Sequence, residues 1–345
     1  MRKSLLFIIF TVLISFILIG CSDNGSDASG EDGDYGTITV FSPETPETTR
    51  RLADKFEELY GGTVDVHYAG TNVLLNQLMA EKGNPSADVL YAGGGNLSFE
   101  GAIEEDIFEP FVPDNVADMP VIDESGVKIR HEDDYYSGII KLLTGFSYDP
   151  EVLSEEEVPQ TWDELLDPKW QGKIQFPNPA SSGTATLLVL AYMSEYGEEA
   201  GWEYFEQLAQ QANSIPDSGS GPVTAVANGE AEIGIGLSYH AYDLAENGES
   251  VDFIVPDMTT VVSDPISLVK DGPNPDGGKK FIEFMHTPEA QEILADTYHL
   301  VVNEEVEEKL PIDMDEIEDR IVELDMEWIQ ENYDRIRNEW QERIQ

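Results

Sequence analysis

Two short runs of hydroxylated residues and glycine hold the chemistry that is easiest to read in this chain: Ser181-Ser-Gly-Thr184 and Ser218-Gly-Ser220. Each stands just ahead of a segment patterned as a helix. Hydroxyls and unpaired backbone N–H groups at a helix start, reinforced by the positive end of the helix dipole, form an anion site. The same residues suit plainer work, with Ser182 or Thr184 capping a helix and Ser218 making a turn. Other reactive groups are sparse. His67, His131, His240, His286 and His299 are scattered, as expected for surface or packing roles. There is no Gly-x-Ser-x-Gly elbow, His-Glu-x-x-His helix or Gly-Lys-Ser/Thr phosphate loop.

The elements that must position these residues alternate between strand and helix. Residues 37–41 read as a buried strand and 42–47 as a turn; Leu52, Phe56 and Leu59 then recur at helical spacing until Gly61 and Gly62. A strand over 63–68, a helix over 73–82 and a strand over 87–92 follow, ending in Gly93, Gly94 and Gly95. This β-α-β-α-β order predicts a mostly parallel sheet whose ligand lies beyond the carboxyl ends of the strands. Those ends carry Ser42, Gly70, Thr71, Gly93 and Gly94.

A second set comprises a strand around 138–148, the segment 162–170, a strand at 173–176, and a long helix opened by 177–184. Beyond Pro222 come a helix to Asn228 and a strand over 232–237, which delivers Ser238, Tyr239 and His240 at its carboxyl end. Residues 251–256 and 263–269 read as extended, and 276–285 and 288–298 as helical. Ile317, Ile321, Leu324, Trp328, Ile336, Trp340 and Ile344 mark one face of one or two terminal helices packed on their own domain.

The amino terminus reads as an export signal. Arg2 and Lys3 precede an apolar run over 5–19, too short for an ordinary spanning helix, and Leu18-Ile-Gly-Cys21 resembles the bacterial lipobox. That resemblance implies a signal peptide over 1–20, cleavage before Cys21 and lipidation of that cysteine. Residues 22–36 are too polar to offset the entropy of ordering and read as a flexible leash. With the only cysteine spent on lipid, no disulfide or thiolate metal site remains, so stability must come from the core. The body is long enough for two lobes. Its 19 Lys+Arg stand against 69 Asp+Glu, a net charge of −50. Phosphate backbones would repel such a chain, which makes nucleic acid an unsuitable partner. The acidic skin points instead to a saline or alkaline habitat, where screening lets like charges coexist.

From Thr37 to about Val302 the chain resembles the extracellular solute-binding proteins of bacterial ABC importers, in the subgroup that binds ferric ion, phosphonates and sugar phosphates. The resemblance rests on Ile38-Thr-Val-Phe-Ser42, Asn84-Pro-Ser-Ala-Asp-Val-Leu-Tyr-Ala-Gly93, Thr161-Trp-Asp-Glu-Leu-Leu-Asp-Pro-Lys-Trp-Gln-Gly-Lys173, Ser181-Ser-Gly-Thr184, Asn228-Gly-Glu-Ala-Glu-Ile-Gly234 and Asn274-Pro-Asp-Gly-Gly278. Each piece alone is weak and the set is specific. It implies a two-lobed α/β fold of the type II periplasmic-binding-protein class, with mostly parallel sheets and two crossing hinge strands, near 139–148 and 254–267. Lobe 1 is expected over 37–140 and 265–345, and lobe 2 over 141–264, with 21–36 as the lipid-anchored linker.

In such a protein Ser181, Ser182, Gly183, Thr184, Ser218, Gly219, Ser220, Tyr239 and His240 would form one wall of the ligand site. Ser42, Thr45, Gly70, Thr71 and Gly94 would form the other. Ferric-ion binders of the family typically offer paired tyrosines plus a histidine and a carboxylate. Here the pair reads Tyr239-His240, Thr45 stands where the histidine is expected, and Thr71 and Asn72 where the acid is expected. Neutral groups in place of anionic oxygen donors favour an organic phosphate or phosphonate over iron. The ferric alternative would use Tyr239 and His240, helped by His67, Tyr68, Glu44 or Glu47. The family implies no cofactor and no catalysis, a monomer, and delivery of ligand to permease and ATPase subunits at the extracellular face of the membrane, or in the periplasm where an outer membrane exists. The rival classes are a secreted metal-dependent hydrolase and a structural surface protein, the latter disfavoured by the absence of repeats.

Overall fold

The computed structural model describes residues 35–91 and 93–344. The expected signal peptide, Cys21 and all but the end of the linker lie outside them. No helix among the described residues is long and apolar enough to cross a membrane.

The first half opens with β1 (Thr37–Ser42), α1 (Pro46–Tyr60), β2 (Thr63–Tyr68), α2 (Thr71–Ala80), β3 (Val89–Tyr91), α3 (Leu97–Glu104) and β4 (Phe108–Glu109). β1 lies between β2 and β3 and is parallel to both. This follows from the apolar strands and amphipathic helices: Leu52, Ala53 and Phe56 bury one face of α1, and Phe56 packs on Phe281 and Phe284.

Strand β5 (Ser137–Tyr148) leads into the second half, built from β6 (Ile174–Gln175), α4 (Gly183–Tyr196), α5 (Glu198–Gln211), β7 (Ala212–Ser214), α6 (Gly221–Ala227), β8 (Ile233–Leu237), α7 (Ser238–Glu246) and β9 (Asp252–Ile254). There β6 is parallel to β7 and β8. Strand β10 (Val261–Val269) returns the chain, followed by α8 (Pro275–Met285), α9 (Pro288–Asp296), β11 (Leu300–Val301), α10 (Met314–Ile317) and α11 (Met326–Ile344). The strand order is β2-β1-β3-β10-β5-β8-β6-β7.

β5 and β10 are the two crossing strands of the type II fold. The first half of β5 pairs antiparallel with β10, from Ser137 to Leu143, and its second half pairs with β8, from Thr144 to Tyr148. At this handover Thr144 Oγ1 lies 3.0 Å from Thr260 Oγ1, and Thr259 Oγ1 donates to the Thr144 carbonyl at 2.6 Å. Small hydroxylated residues thus satisfy one another where the ladder changes partners.

The sequence pieces Asn84–Gly93 and Asn274–Gly278 meet in space. The Asp88 carboxylate accepts the N–H of Thr39 at 2.8 Å and that of Asn274 at 2.5 Å, and the Asn274 side chain caps α8 by accepting from Gly277 N. A Cβ at Gly277 would come within 2.8 Å of Ile38, so α8 packs on β1 only as closely as glycine permits.

The terminal stripe is real but shifted from the expected one. α11 buries Ile329, Tyr333, Ile336 and Trp340, at spacings of four, three and four, while Trp328 and Ile344 are half-buried. Trp340 packs among Phe176, Trp202 and Phe205 beside α4 and α5, and Tyr333 reaches Asn72 of the first half. α11 thus packs against α4 and α5 and also touches α3 and Asn72.

Candidate functional site

The loops after the strands converge on one cleft of about 640 Å³. The first half supplies the β1–α1 loop with Glu44 and Thr45, the β2–α2 loop with Gly70 and Thr71, and the β3–α3 loop with Gly93 and Gly94. The second supplies Ser181, Ser182 and Thr184 before α4, Ser218, Gly219 and Ser220 before α6, and Tyr239 and His240 at the start of α7. Thus the residues expected on both walls line one space, except Ser42 and Gly183. Ser42 is fully buried beneath the loop, its hydroxyl accepting the Glu44 N–H at 3.1 Å. Gly183 is turned into contact with the opposite wall, where an added Cβ would overlap Gly93 O.

The walls touch. A Cβ at Gly70 would stand 2.5 Å from Ser181 O, and one at Gly94 would overlap Thr184 N. Asn72 N donates to Ser181 O at 3.1 Å, and the Asn72 side chain donates to Pro179 O at 3.0 Å. Gly94 has φ 76°, in the left-handed region where glycine is at no disadvantage, which lets the backbone approach this closely.

Ser182 is the N-cap of α4, accepting from Ala185 N at 3.3 Å, so its capping role is realised. The N–H groups of Gly183 and Thr184 have no acceptor among the described residues. The second hydroxyl loop lies alongside, since a Cβ at Gly219 would meet Ser182 Oγ at 3.0 Å. Within that loop Ser218 and Ser220 hydroxyls are 2.8 Å apart, and Asp217 accepts from Asn178 Nδ2 at 2.8 Å.

The floor of the cleft carries a group that sequence reasoning assembled only in part. The Tyr239 hydroxyl donates to the Glu44 carboxylate at 3.0 Å, His299 Nε2 lies 3.2 Å from the same carboxylate, and the Tyr239 and His299 rings stack with centroids 3.8 Å apart. His299 is fully buried, not the surface or ordinary packing histidine expected. Burial alone would push the Glu44 carboxyl up, but adjacent His299 and hydrogen bonds from His299, Thr45 N–H and Tyr239 hold it below the usual carboxylate range. Burial, with Glu44 and Asp264 nearby, pushes the Tyr239 phenol well above its ordinary value. Burial lowers His240 to about 4, leaving a neutral imidazole whose Nδ1 has no partner.

Asp264 also lines the cleft and was not anticipated. The β5–β10 register shifts between Asp264 and Pro265, an irregularity of the kind that re-aims a side chain. Gly95 N–H donates to it at 2.8 Å. Burial drives its carboxyl up to about 7 against the opposing N–H groups of Gly95 and Gly93. Among the described residues, no group of three or more His, Cys, Asp or Glu side chains is arranged to hold a metal ion.

A family profile described as "Bacterial extracellular solute-binding protein" matches residues 84–315. The putative 2-aminoethylphosphonate-binding periplasmic protein of Salmonella typhimurium is 28% identical over 247 residues, 69% of this chain and 68% of that protein. Iron uptake protein A1 of Synechocystis is 26% identical, covering 83% of this chain and 81% of its own. The solved structure of the periplasmic binding protein AfuA from Actinobacillus pleuropneumoniae, with exogenous fructose-6-phosphate bound, superposes with a TM-score of 0.81 at 26% identity, over 90% of this chain and 98% of that one.

Proposed function

Since this chain belongs to the bacterial extracellular solute-binding proteins, we propose that it captures a small organic phosphate or phosphonate in the cleft and presents it to the permease and ATPase of an ABC importer. The observation that carries the ligand class is the start of α4. The Thr184 N–H, without an acceptor among the described residues, stands beside the hydroxyls of Ser181, Ser182 and Thr184 and next to the 218–220 loop. Such a cluster offers hydrogen bonds and a favourable dipole to an oxyanion. The family resemblance to a phosphonate binder and a sugar-phosphate-bound structure supports the same class.

The capture mechanism is closure. The lobe built on β1–β3 and the lobe built on β6–β8 rotate about β5 and β10, and ligand contacts on both walls favour the closed arrangement that the permease recognises. The protein is a monomeric transport component, not an enzyme, tethered at the outer face of the membrane through lipidated Cys21. The test is calorimetric titration of the Ser182→Ala, Thr184→Ala double variant with 2-aminoethylphosphonate. Affinity should fall at least tenfold while the fold is retained, and unchanged affinity would refute the site.

The contact between Glu44 and Tyr239 favours one second reading, ferric ion as cargo, because both present oxygen donors in the cleft. Against it, Tyr239 is held as a phenol donating to Glu44, and His240 occupies the place of a second tyrosine.

A further inference from the structure

We infer that Tyr333 is a positioning residue for capture: through Asn72 it holds the two walls of the cleft together by contacts that do not include the solute. The inference rests on the lobe rotation proposed above and not on the class of solute. Its basis is where the polar groups of Asn72 go, a residue fully buried at the start of α2. The Asn72 N–H, in the first turn of the helix, has no acceptor within α2 and donates to Ser181 O at 3.1 Å. Its Nδ2 donates to Pro179 O at 3.0 Å and to Thr186 Oγ1 at 3.2 Å, and its Oδ1 accepts the Tyr333 hydroxyl at 3.3 Å. Every one of these partners belongs to the second half or to α11, so separation of the walls breaks the whole set. Asn72, Pro179, Thr186 and Tyr333 are not among the residues that line the cleft.

α11 fixes Tyr333 to the second half. After β11 the chain runs past the hinge, where Thr259 N donates to Arg320 O at 2.8 Å and Val322 N donates to Thr259 O at 3.0 Å. This is a third passage between the halves, after β5 and β10. α11 is then anchored by Trp340 against Trp202 and Phe205 and by two ion pairs, Arg335 with Glu198 at 2.8 Å and Arg343 with Glu206 at 3.1 Å. Its contact with α3 lies across the same junction as the bond to Asn72. Loss of the Tyr333 hydroxyl would leave Asn72 Oδ1 buried without a donor while the walls meet, and hydrated once they part, so the cost falls on the closed arrangement alone. The solute thus completes a closure that the protein itself already favours in part.

The experiment is hydrogen exchange of the purified, solute-free protein. It is read at the Asn72 amide, whose acceptor lies on the opposite wall, and at the Leu78 amide, which bonds within α2. In the wild type Asn72 is expected to exchange more slowly than an unprotected amide and faster than Leu78. Tyr333→Phe is expected to speed Asn72 about two- to fivefold and leave Leu78 unchanged. Exchange of Asn72 at the unprotected rate in the wild type overturns the inference and leaves the lobe rotation standing. Slow exchange that Tyr333→Phe does not alter overturns the part assigned to Tyr333. Equal acceleration of both amides reduces Tyr333 to packing and overturns it too. Asn72 and Leu78 exchanging at one rate in the wild type would mean that the walls part only on unfolding, and the lobe rotation falls as well.

Discussion

Gly70→Ala is the cleanest perturbation of closure. Gly70 has φ −62°, which any residue adopts, so the substitution adds no backbone strain. Its new Cβ would stand 2.5 Å from Ser181 O on the opposite wall, closer than real Cβ contacts come. That overlap exists only where the walls meet. Overpacking of this kind costs about 1–3 kcal/mol, borne by the closed state alone. Because ligand affinity depends on reaching that state, the same free energy appears as a roughly 5- to 150-fold loss of affinity. Stability should fall by up to about 1 kcal/mol, since Gly70 is the N-cap of α2 and alanine is disfavoured there, so affinity is compared with both variants fully folded. Gly101→Ala is the control: Gly101 lies inside α3 with nothing within 4 Å of its Cβ position, so this change should raise stability slightly and leave binding alone. Calorimetric titration with 2-aminoethylphosphonate and thermal denaturation of both variants separate the effects. Wild-type affinity in Gly70→Ala would refute the argument that this contact belongs to the ligand-gripping state.

Asp88→Ala leaves the Thr39 and Asn274 N–H groups without their acceptor and should cost about 2–5 kcal/mol in urea denaturation, with the strand–helix junction failing rather than the cleft. Trp340→Ala removes the largest fully buried side chain and should cost about 3–5 kcal/mol, measured the same way; a loss under about 1 kcal/mol would mean that α11 is dispensable packing. Asp264 holds its proton up to about pH 7 in the fold against an ordinary 3.8, so between those values the folded protein binds more protons than the unfolded chain and stability falls as pH rises. Asp264→Asn should therefore gain up to roughly 4 kcal/mol at pH 8 and nothing at pH 3.5, read as Tm against pH. Glu44 and His299, which act on Asp264 from the cleft floor, remain in both proteins.

The strand–loop–helix framework was readable because each element carries its own punctuation: apolar β runs end in glycine or serine, and helices open at Pro46, Pro275 and Pro288. The hydroxyl loops followed from the same logic, since they occupy the helix starts that the framework places at one end of the sheet. The floor of the cleft did not. Glu44 and His299 are 255 residues apart, and no local pattern ties a histidine after α9 to a loop after β1. Asp264 did leave a trace, an Asp-Pro step between Ser263 and Ile266 inside a strand, which signals an irregularity and hence a redirected side chain. The terminal stripe was misread in detail because Trp328 outweighs Ile329 on hydrophobic size, whereas the packed face is set by Tyr333, Ile336 and Trp340.

The most direct measurement is a native mass spectrum of the protein, first as purified and then with 2-aminoethylphosphonate and ferric ion offered together in equal amounts. The account predicts a single adduct of phosphonate mass that persists in the presence of iron. An adduct of iron alone, with no phosphonate bound, would contradict it and make Glu44, Tyr239 and His299 the residues to examine as ligands.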